Sequence, residues 1–187
     1  MGGETSKISG DELRTLRDST SYSGDEINEW YSKFRKDCPE GSMTREQFMN
    51  MYSQIFPNGD VRQFAEHIFK SYDIDGNGTI DFKEFLCTMS VASRGAIDEK
   101  LTWAFRLYDL DGNGYVTEKE CVEIIKSIYK MRGMSQKASK GNMTPQEATE
   151  EIFKQLDRNN DKKLTEFEFV QGAKNSPTIL GILQNIN

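Results

Sequence analysis

The sequence predicts an all-α protein of four helix–loop–helix units, paired into two lobes. Three observations predict it. The stretch Ser71–Phe85, "SYDIDGNGTIDFKEF", matches Leu107–Cys121, "LYDLDGNGYVTEKEC", almost position for position. Weaker copies of the same pattern start at Lys36 and Asp157. Apolar residues flanking these copies recur at i, i+3, i+4 and i+7, the period of an amphipathic helix. Self-similarity of this kind marks a repeated supersecondary unit.

Length and charge narrow the class. A chain of 187 residues can bury a good core as one domain or two small ones. Hydrophobic content of 36%, charged content of 29% and eleven Phe suit a soluble, folded, helix-rich protein. A net charge of −6 argues against nucleic acid as a partner, because phosphate binding needs a basic face. No apolar run approaches the roughly 18 residues of a membrane span. The opening "MGGETSKISGDEL" has no apolar secretory core. Cys38, Cys87 and Cys121 are widely spread with no CxxC, which fits a reduced, cytoplasmic setting. No nucleophile–base pair, Gly-rich phosphate loop or transition-metal cluster is legible, so an enzyme is not expected.

The two strong copies fit D-x-[DN]-x-[DN]-G-x5-E, the twelve-residue EF-hand loop. A helix does not favour their paired glycines, which cost roughly 1 kcal/mol each in a helix interior. A strand finds no apolar alternation in the first half of the loop. Carboxylates gathered on a turn repel one another unless a cation sits among them. Calcium takes about 6–8 oxygens, and a tight loop aims alternate side chains at its centre. The fold class is therefore four EF-hand motifs with short β-bridges between paired loops.

Along the chain, the first unit enters on "EINEWYSKF", with Ile27, Trp30, Tyr31 and Phe34 on one face. Its loop, "KDCPEGSMTREQ", is disabled. Lys36 and Cys38 stand where carboxylates belong, Gln47 replaces the bidentate glutamate, and Pro39 distorts the turn. The next face carries Phe48, Met51, Tyr52, Ile55 and Phe56. In the second loop Asp73, Asp75 and Asn77 supply side-chain oxygens at positions 1, 3 and 5. Thr79 gives its carbonyl, Asp81 acts directly or through water, and Glu84 binds bidentately, with Gly78 permitting the bend. Phe82, Phe85, Leu86 and Met89 follow. A hinge at Ser93–Asp98 should divide an N-terminal lobe, residues 1–93, from a C-terminal lobe, residues 98–187.

The third unit places Leu101, Ala104, Phe105 and Tyr108 before its loop, and Val122, Ile125 and Ile128 after it. Asp109, Asp111, Asn113, the Tyr115 carbonyl, Thr117 through water and Glu120 take the ligand roles around Gly114. Ile80 and Val116, both at position 8, are expected to pair as a β-bridge between adjacent loops. The fourth loop keeps Asp157, Asn159, Asp161 and Glu168, with Lys163 at the carbonyl position. Lys162 replaces the bend glycine there, and a left-handed non-Gly residue costs about 1–2 kcal/mol. Two calcium ions are expected, and a third, weak one in loop four stays open. The polar linker "GMSQKASKGNMTP" lengthens the approach to this loop. The chain also opens on M-G-x-x-x-[ST], with Gly2 as a myristoyl acceptor and Ser6 at the recognised position. His67 reads as a polar helix residue and Cys38 as a loop-deforming remnant.

Together "MGGETSK", "WYSKFRKDCPEG", "FPNGD", "NGTIDFKEFL", "SRG", "WAFRLYDLDGNGY" and "IYKM" resemble the neuronal calcium sensor family, the group of recoverin, visinin, hippocalcin, neurocalcin and frequenin. The likeness covers nearly the whole chain, and the disabled Cys-Pro loop is specific to this family and to the related guanylate cyclase activators. Gly3, Glu4 and Lys162 depart from the usual pattern. The resemblance implies a calcium-sensing regulator with a calcium–myristoyl switch. It also implies that Trp30, Phe34, Phe48, Tyr52, Phe56, Phe85 and Met89 line an exposed groove for the acyl chain or a partner's amphipathic helix. That partner would be a kinase, cyclase or channel regulator, with the membrane surface a second partner when Gly2 is acylated. Reversible membrane association follows, and a homodimer stays open. A guanylate cyclase activator and a passive calcium buffer are the alternatives.

Overall fold

The computed structural model describes residues 7–134 and 143–184. Helix α1 (Gly10–Ser19) precedes the first repeat. Hand one is α2 (Gly24–Asp37), β1 (Ser42–Thr44) and α3 (Arg45–Ile55). Hand two is α4 (Arg62–Tyr72), β2 (Thr79–Asp81) and α5 (Phe82–Arg94). Hand three is α6 (Ile97–Tyr108), β3 (Tyr115–Thr117) and α7 (Glu118–Met131). Hand four is α8 (Pro145–Leu156), β4 (Lys163–Thr165) and α9 (Glu166–Lys174), and α10 (Pro177–Gln184) follows. The all-α, four-hand architecture is the one the repeats predict. Residues 135–142 of the polar linker, together with Gly2, Gly3, Glu4 and Ser6, lie outside the described residues.

One device starts the exiting helix of every hand. The side chain at loop position 9 accepts the amide of position 12, whose own side chain accepts the position-9 N–H. The pairs are Thr44 with Gln47, Asp81 with Glu84, Thr117 with Glu120 and Thr165 with Glu168. Such a box satisfies two of the orphan donors at a helix start. It also fixes where the last side chain of each loop points. Helices α1, α2 and α8 begin in the same way, from Ser9, Ser23 and Thr144.

The strands pair within each lobe. Met43 stands opposite Ile80 in the β1–β2 ribbon, and Val116 opposite Leu164 in β3–β4. This corrects the expected Ile80–Val116 bridge. Pairing depends on an apolar residue at position 8 rather than on an intact ligand set. Hands one and four keep that residue, as Met43 and Leu164, whatever their carboxylates have become. All four of these side chains are buried.

Most of the expected helix faces point inward. Ile27, Phe34, Phe48, Phe82, Phe85, Leu86, Leu101, Phe105 and Tyr108 are buried. Ile55 differs, being 58% exposed in the last turn of α3. Two helices beyond the repeats also join the core. Leu16 anchors α1, which packs on α2 and α5, while Ile179 and Leu183 seat α10 against α8 and α9. Among the described residues no helix is long and apolar enough to cross a membrane.

Gly95 and Ala96 alone join α5 to α6, inside the expected hinge. Arg94 just before them is clasped by the segment between α1 and α2. It donates to the Ser21 carbonyl at 3.0 Å, pairs with Glu26 and lies over the Tyr22 ring. Helix α4 packs against both α6 and α7, so the lobes share one continuous cluster of buried apolar side chains, from Ile8 to Leu183.

Candidate metal centres

Loop two begins where α4 ends, and its own amides turn the side chains inward. Asp73 Oδ2 accepts from Gly78 N–H at 3.0 Å, Asp75 Oδ1 from Asn77 N–H at 3.0 Å, and Asn77 Oδ1 from Thr79 N–H at 2.8 Å. The tight course needs two left-handed residues, Gly76 at φ 70° and Gly78 at φ 86°. Glycine takes that conformation without a Cβ penalty. Glu84 reaches back from α5, its Oε1 accepting from the amides of Ile74 and Asp75 at 2.9 and 3.2 Å. Thr79 and Asp81 stand at the two ends of β2, with Asp81 capping α5.

As a result Asp73, Asp75 and Glu84 bring carboxylate oxygens within 4.8 Å of one another. Glu84 is buried, and Asp73 Oδ1 is buried with no hydrogen-bond partner. No ion pair among the described residues reaches any of the three. Carboxylates taken out of water need a cation or a full set of donors. An all-oxygen set of this kind suits a hard divalent ion, and Asp73 Oδ1 is the atom left open for it.

Loop three repeats the arrangement. Asp109 accepts from the Asn113 and Gly114 amides at 3.1 and 2.9 Å, and Asn113 Oδ1 accepts from Tyr115 N–H at 2.9 Å. Glu120 Oε1 accepts from Leu110 N–H at 3.1 Å and its Oε2 from Thr117 Oγ1 at 2.6 Å. Asp109, Asp111 and Glu120 again gather oxygens within 4.8 Å. Thr117 is held as the cap of α7.

Loop four keeps the turn and loses part of the cluster. Asp157 Oδ2 accepts from Lys162 N–H at 3.0 Å, and Asn159 and Asp161 make the same inward bonds as their counterparts. Lys162 sits at φ 63°, as its place at the bend predicts, and Asn160 at φ 56° fills the second left-handed position. Lys163 begins β4 with its ammonium over the Tyr115 ring. The hydrogen bonds of Glu168 run only to Thr165, so its second oxygen is not drawn into the loop as in Glu84 and Glu120.

Loop one is replaced by a turn. Helix α2 runs on through Lys36 to Asp37, and Gly41 N–H donates to the Cys38 carbonyl across Pro39 at 3.0 Å. Cys38 is buried, and burial pushes its thiol above the ordinary range. A buried neutral thiol offers a hard cation nothing.

The N-terminal aromatics form one file of ring contacts. Trp30 meets Phe85, Phe85 meets Phe34 and Tyr72, Tyr72 meets Phe48, and Phe48 leads through Tyr52 to Phe56. Tyr72 also donates to Met89 Sδ at 3.2 Å. Burial pushes the Tyr52 hydroxyl up to about 12. The groove is less open than expected: Phe34, Phe48 and Phe85 are buried, and Trp30, Tyr52, Phe56 and Met89 half-buried. Ring-to-ring packing across α2, α3, α4 and α5 closes it. Sequence reasoning missed Tyr72, which joins its two halves, although its place at the inner end of the α4 apolar face was a signal for it.

His67 is a helix residue of α4, as read from the sequence, and its ring lies between the lobes, with Nε2 3.7 Å from Glu123 Oε1 on α7. Burial lowers its pKa, and Glu123 opposes that shift.

Known families match along this same frame. An EF-hand domain pair matches residues 98–174, and a single EF-hand domain matches residues 64–91. Neuronal calcium sensor 1 of Aplysia californica is 45% identical over 98% of this chain and 96% of its own. Human recoverin is 38% identical over 98% and 94%, and visinin of Gallus gallus 32% over 96% and 95%. With such identity sustained through all four hands, the chain belongs to the neuronal calcium sensor family.

Proposed function

We propose that this protein is a calcium-responsive regulator that signals through its N-terminal aromatic file. The observation that carries this reading is the pair of carboxylate clusters, one in each lobe and each closed by a buried glutamate, with no cationic partner among the described residues. In loop two Asp73, Asp75, Asn77, Thr79, Asp81 and Glu84 hold the ion, and in loop three Asp109, Asp111, Asn113, Tyr115, Thr117 and Glu120. Calcium supplies the divalent charge that these oxygens share. Loop four is a weak third site, since Glu168 lacks the bonds to the loop amides that Glu84 and Glu120 make and Lys162 carries a positive charge beside it.

Glu84 belongs to α5 and Asp73 ends α4, so drawing both to one centre sets the angle between the two helices. Sensor hands respond by changing that angle and uncovering an apolar groove. Phe85 follows Glu84 directly on α5, and Met89 lies about one turn beyond Phe85. Their contacts to Trp30, Phe34 and Tyr72 are the ones such a change opens. An amphipathic target helix then fits the exposed rings. Acylation at Gly2 adds a second occupant for the same apolar surface and a membrane anchor when displaced. That part rests on the N-terminal motif and the family.

The test is capture of a model amphipathic helix, melittin, in calcium and in chelator. Calcium-dependent binding that Phe85→Ser weakens is the expected result. Calcium binding without any calcium-dependent uptake of melittin or of an apolar dye identifies a buffer instead.

A further inference from the structure

His67 stands on α4 where the N-terminal lobe rests on α7. Its side chain is only 11% exposed, and both ring nitrogens are buried without a hydrogen-bond partner among the described residues. Glu123 Oε1 lies 3.7 Å from Nε2, beyond hydrogen-bond reach. A neutral imidazole has one N–H and one acceptor to satisfy, whereas the protonated ring has two N–H groups and a full charge. A buried charge without a bonded partner costs far more than a buried neutral polar group.

The surrounding charges do not make up that cost. Burial is the largest influence on the ring and favours the neutral form, as does Lys70, while Glu123 and Glu66 favour the charged one. Glu123 is 41% exposed, so water screens its attraction. Glu66 is already paired with Arg45 of α3. Along α7, Lys119, Lys126 and Lys130 line the same groove as Glu118 and Glu123, and Lys130 donates to Gln63 at 3.2 Å. Helices α5 and α6 also pack on α4, and among the described residues no ion pair joins them to it.

The contact around the ring cannot yield gradually. Asp60 N–H donates to the Lys130 carbonyl at 3.0 Å, and a Cβ on Gly59 would overlap the Met131 carbonyl. Gly59 itself is not in the left-handed region, so the opposite lobe, rather than the turn, requires glycine there. Main chain against main chain has no rotamer to change, so water reaches a charged ring by the two helices parting. Histidine is the side chain whose ordinary titration falls between pH 5 and 8, and protonation of buried histidines can flip an interface.

We propose that His67 is a proton-operated latch between the lobes: the neutral ring lets α4 rest on α7, and the protonated ring frees them while each lobe stays folded. The linkage has one sign. The ring titrates near 6.5 in water and below that value in the closed contact. The closed contact is therefore fully favoured above 6.5 and loses that advantage as pH falls through the lower value. The latch does not require calcium in either loop.

The experiment is hydrogen exchange of the full chain in excess calcium from pH 7.5 to 5.5, compared as protection factors so that the intrinsic pH dependence of exchange cancels. The Asp60 amide reports the contact, and the Cys38 and Ala148 amides, bonded within single lobes, report the fold. Asp60 protection should fall about threefold or more, of the roughly tenfold that one pH unit below 6.5 permits. Cys38 and Ala148 should hold theirs within about twofold. His67→Phe should abolish the fall. Two variants that keep the ring provide a second measurement. Glu123→Gln removes a charge that favours the protonated ring and should move the fall to lower pH. Lys70→Gln removes one that disfavours it and should move the fall to higher pH. Constant Asp60 protection in the parent overturns the latch, as does a fall that persists in His67→Phe or shifts of opposite sign in the charge variants. Protection that rises in acid would show the charged ring clamping onto Glu123, and loss at all three amides together would show unfolding; either also overturns it.

Discussion

Asp73 gives one carboxylate oxygen to the Gly78 amide at 3.0 Å and keeps the other buried without a partner. The first bond shapes the bend, and the open oxygen belongs to a carboxylate clustered with those of Asp75 and Glu84. Removing the charge while keeping the acceptor separates these roles. Asp73→Asn should preserve the bend and weaken loop two at least about tenfold, or 1.4 kcal/mol. Glu84→Gln and Glu120→Gln should each remove one tight site, read as stoichiometry by calorimetry. An unchanged count in either variant would falsify the ligand assignment.

Lys162 holds a left-handed φ of 63° at a bend where loops two and three place glycine. Its amide, not its side chain, makes the bond to Asp157. Lys162→Gly therefore keeps that bond, relieves about 1–2 kcal/mol of strain and removes a repelling charge. Calcium affinity of loop four and thermal stability should both rise. If stability rises and affinity does not, the looser hold on Glu168, bonded only to Thr165 among the described residues, limits the site.

The repeats made the four hands and both carboxylate clusters legible, because a repeated loop fixes residue type at fixed spacing. Gly78 was legible for the same reason, whereas the second left-handed position, held by Gly76, Gly112 and Asn160, was not separated from it. The Ile80–Val116 bridge was misread because identity of loop sequence says nothing of which loop is the neighbour. Met43 and Leu164 carried that information in one apolar residue each. His67 and Gly59 were unreadable in kind. Their environments are set by α7, more than fifty residues away, and no local period encodes a contact between lobes.

The clasp before the linker makes a prediction about acid. The Arg94 guanidinium, and after it the Ser23 backbone, hold the Glu26 carboxyl down at about 2, from an ordinary 4.5. A depressed carboxylate stabilises the fold above 4.5 and loses that contribution as pH falls through about 2. Arg94→Ala should let the Glu26 titration rise toward 4.5, as followed by carboxyl resonances. It should also loosen Ser21 and Tyr22, whose hydrogen bonds to α5 run to Ser90 and Ser93. A Glu26 titration that stays near 2 without Arg94 would assign the effect to the cap alone.

His67 makes the opposite kind of pH prediction from the carboxylates. Burial between the lobes favours its neutral form, Lys70 acts the same way, and Glu123 and Glu66 oppose them. Its folded pKa therefore lies below the ordinary 6.5. The contribution of the neutral ring is fully present above 6.5 and is lost as pH falls below it through the folded value. Thermal unfolding followed from pH 8 to 5 should show the melting temperature falling below about 6.5. His67→Phe, which fills the same space without titrating, should flatten that fall. Equal slopes in the two proteins would place the titrating group elsewhere.

Acylation at Gly2 gives the last prediction. The motif places Ser6 at the recognised distance, and the aromatic file from Trp30 to Met89 offers apolar surface in the same lobe. One myristoyl chain binds a bilayer with a constant on the order of 10^4 M⁻¹, so the anchor is reversible. Such an anchor can be governed by a competing pocket, because each buried CH₂ is worth only about 0.8 kcal/mol in either place. In chelator the chain should lie against the protein and the acylated protein should stay in solution. In calcium the re-angled α5 should release it, and vesicles of neutral and anionic lipid should sediment the protein. Lys7 adds an electrostatic contact near the surface, which Glu4 opposes. Gly2→Ala should abolish the calcium-dependent sedimentation while leaving the loop-two and loop-three affinities within about twofold, or 0.4 kcal/mol. Acylated protein that sediments equally in calcium and in chelator would remove the switch and leave the target groove as the sole readout. Loss of calcium affinity in Gly2→Ala would instead show that the acyl chain and the loops are coupled in the opposite sense, with the bound chain supporting the calcium-filled hands.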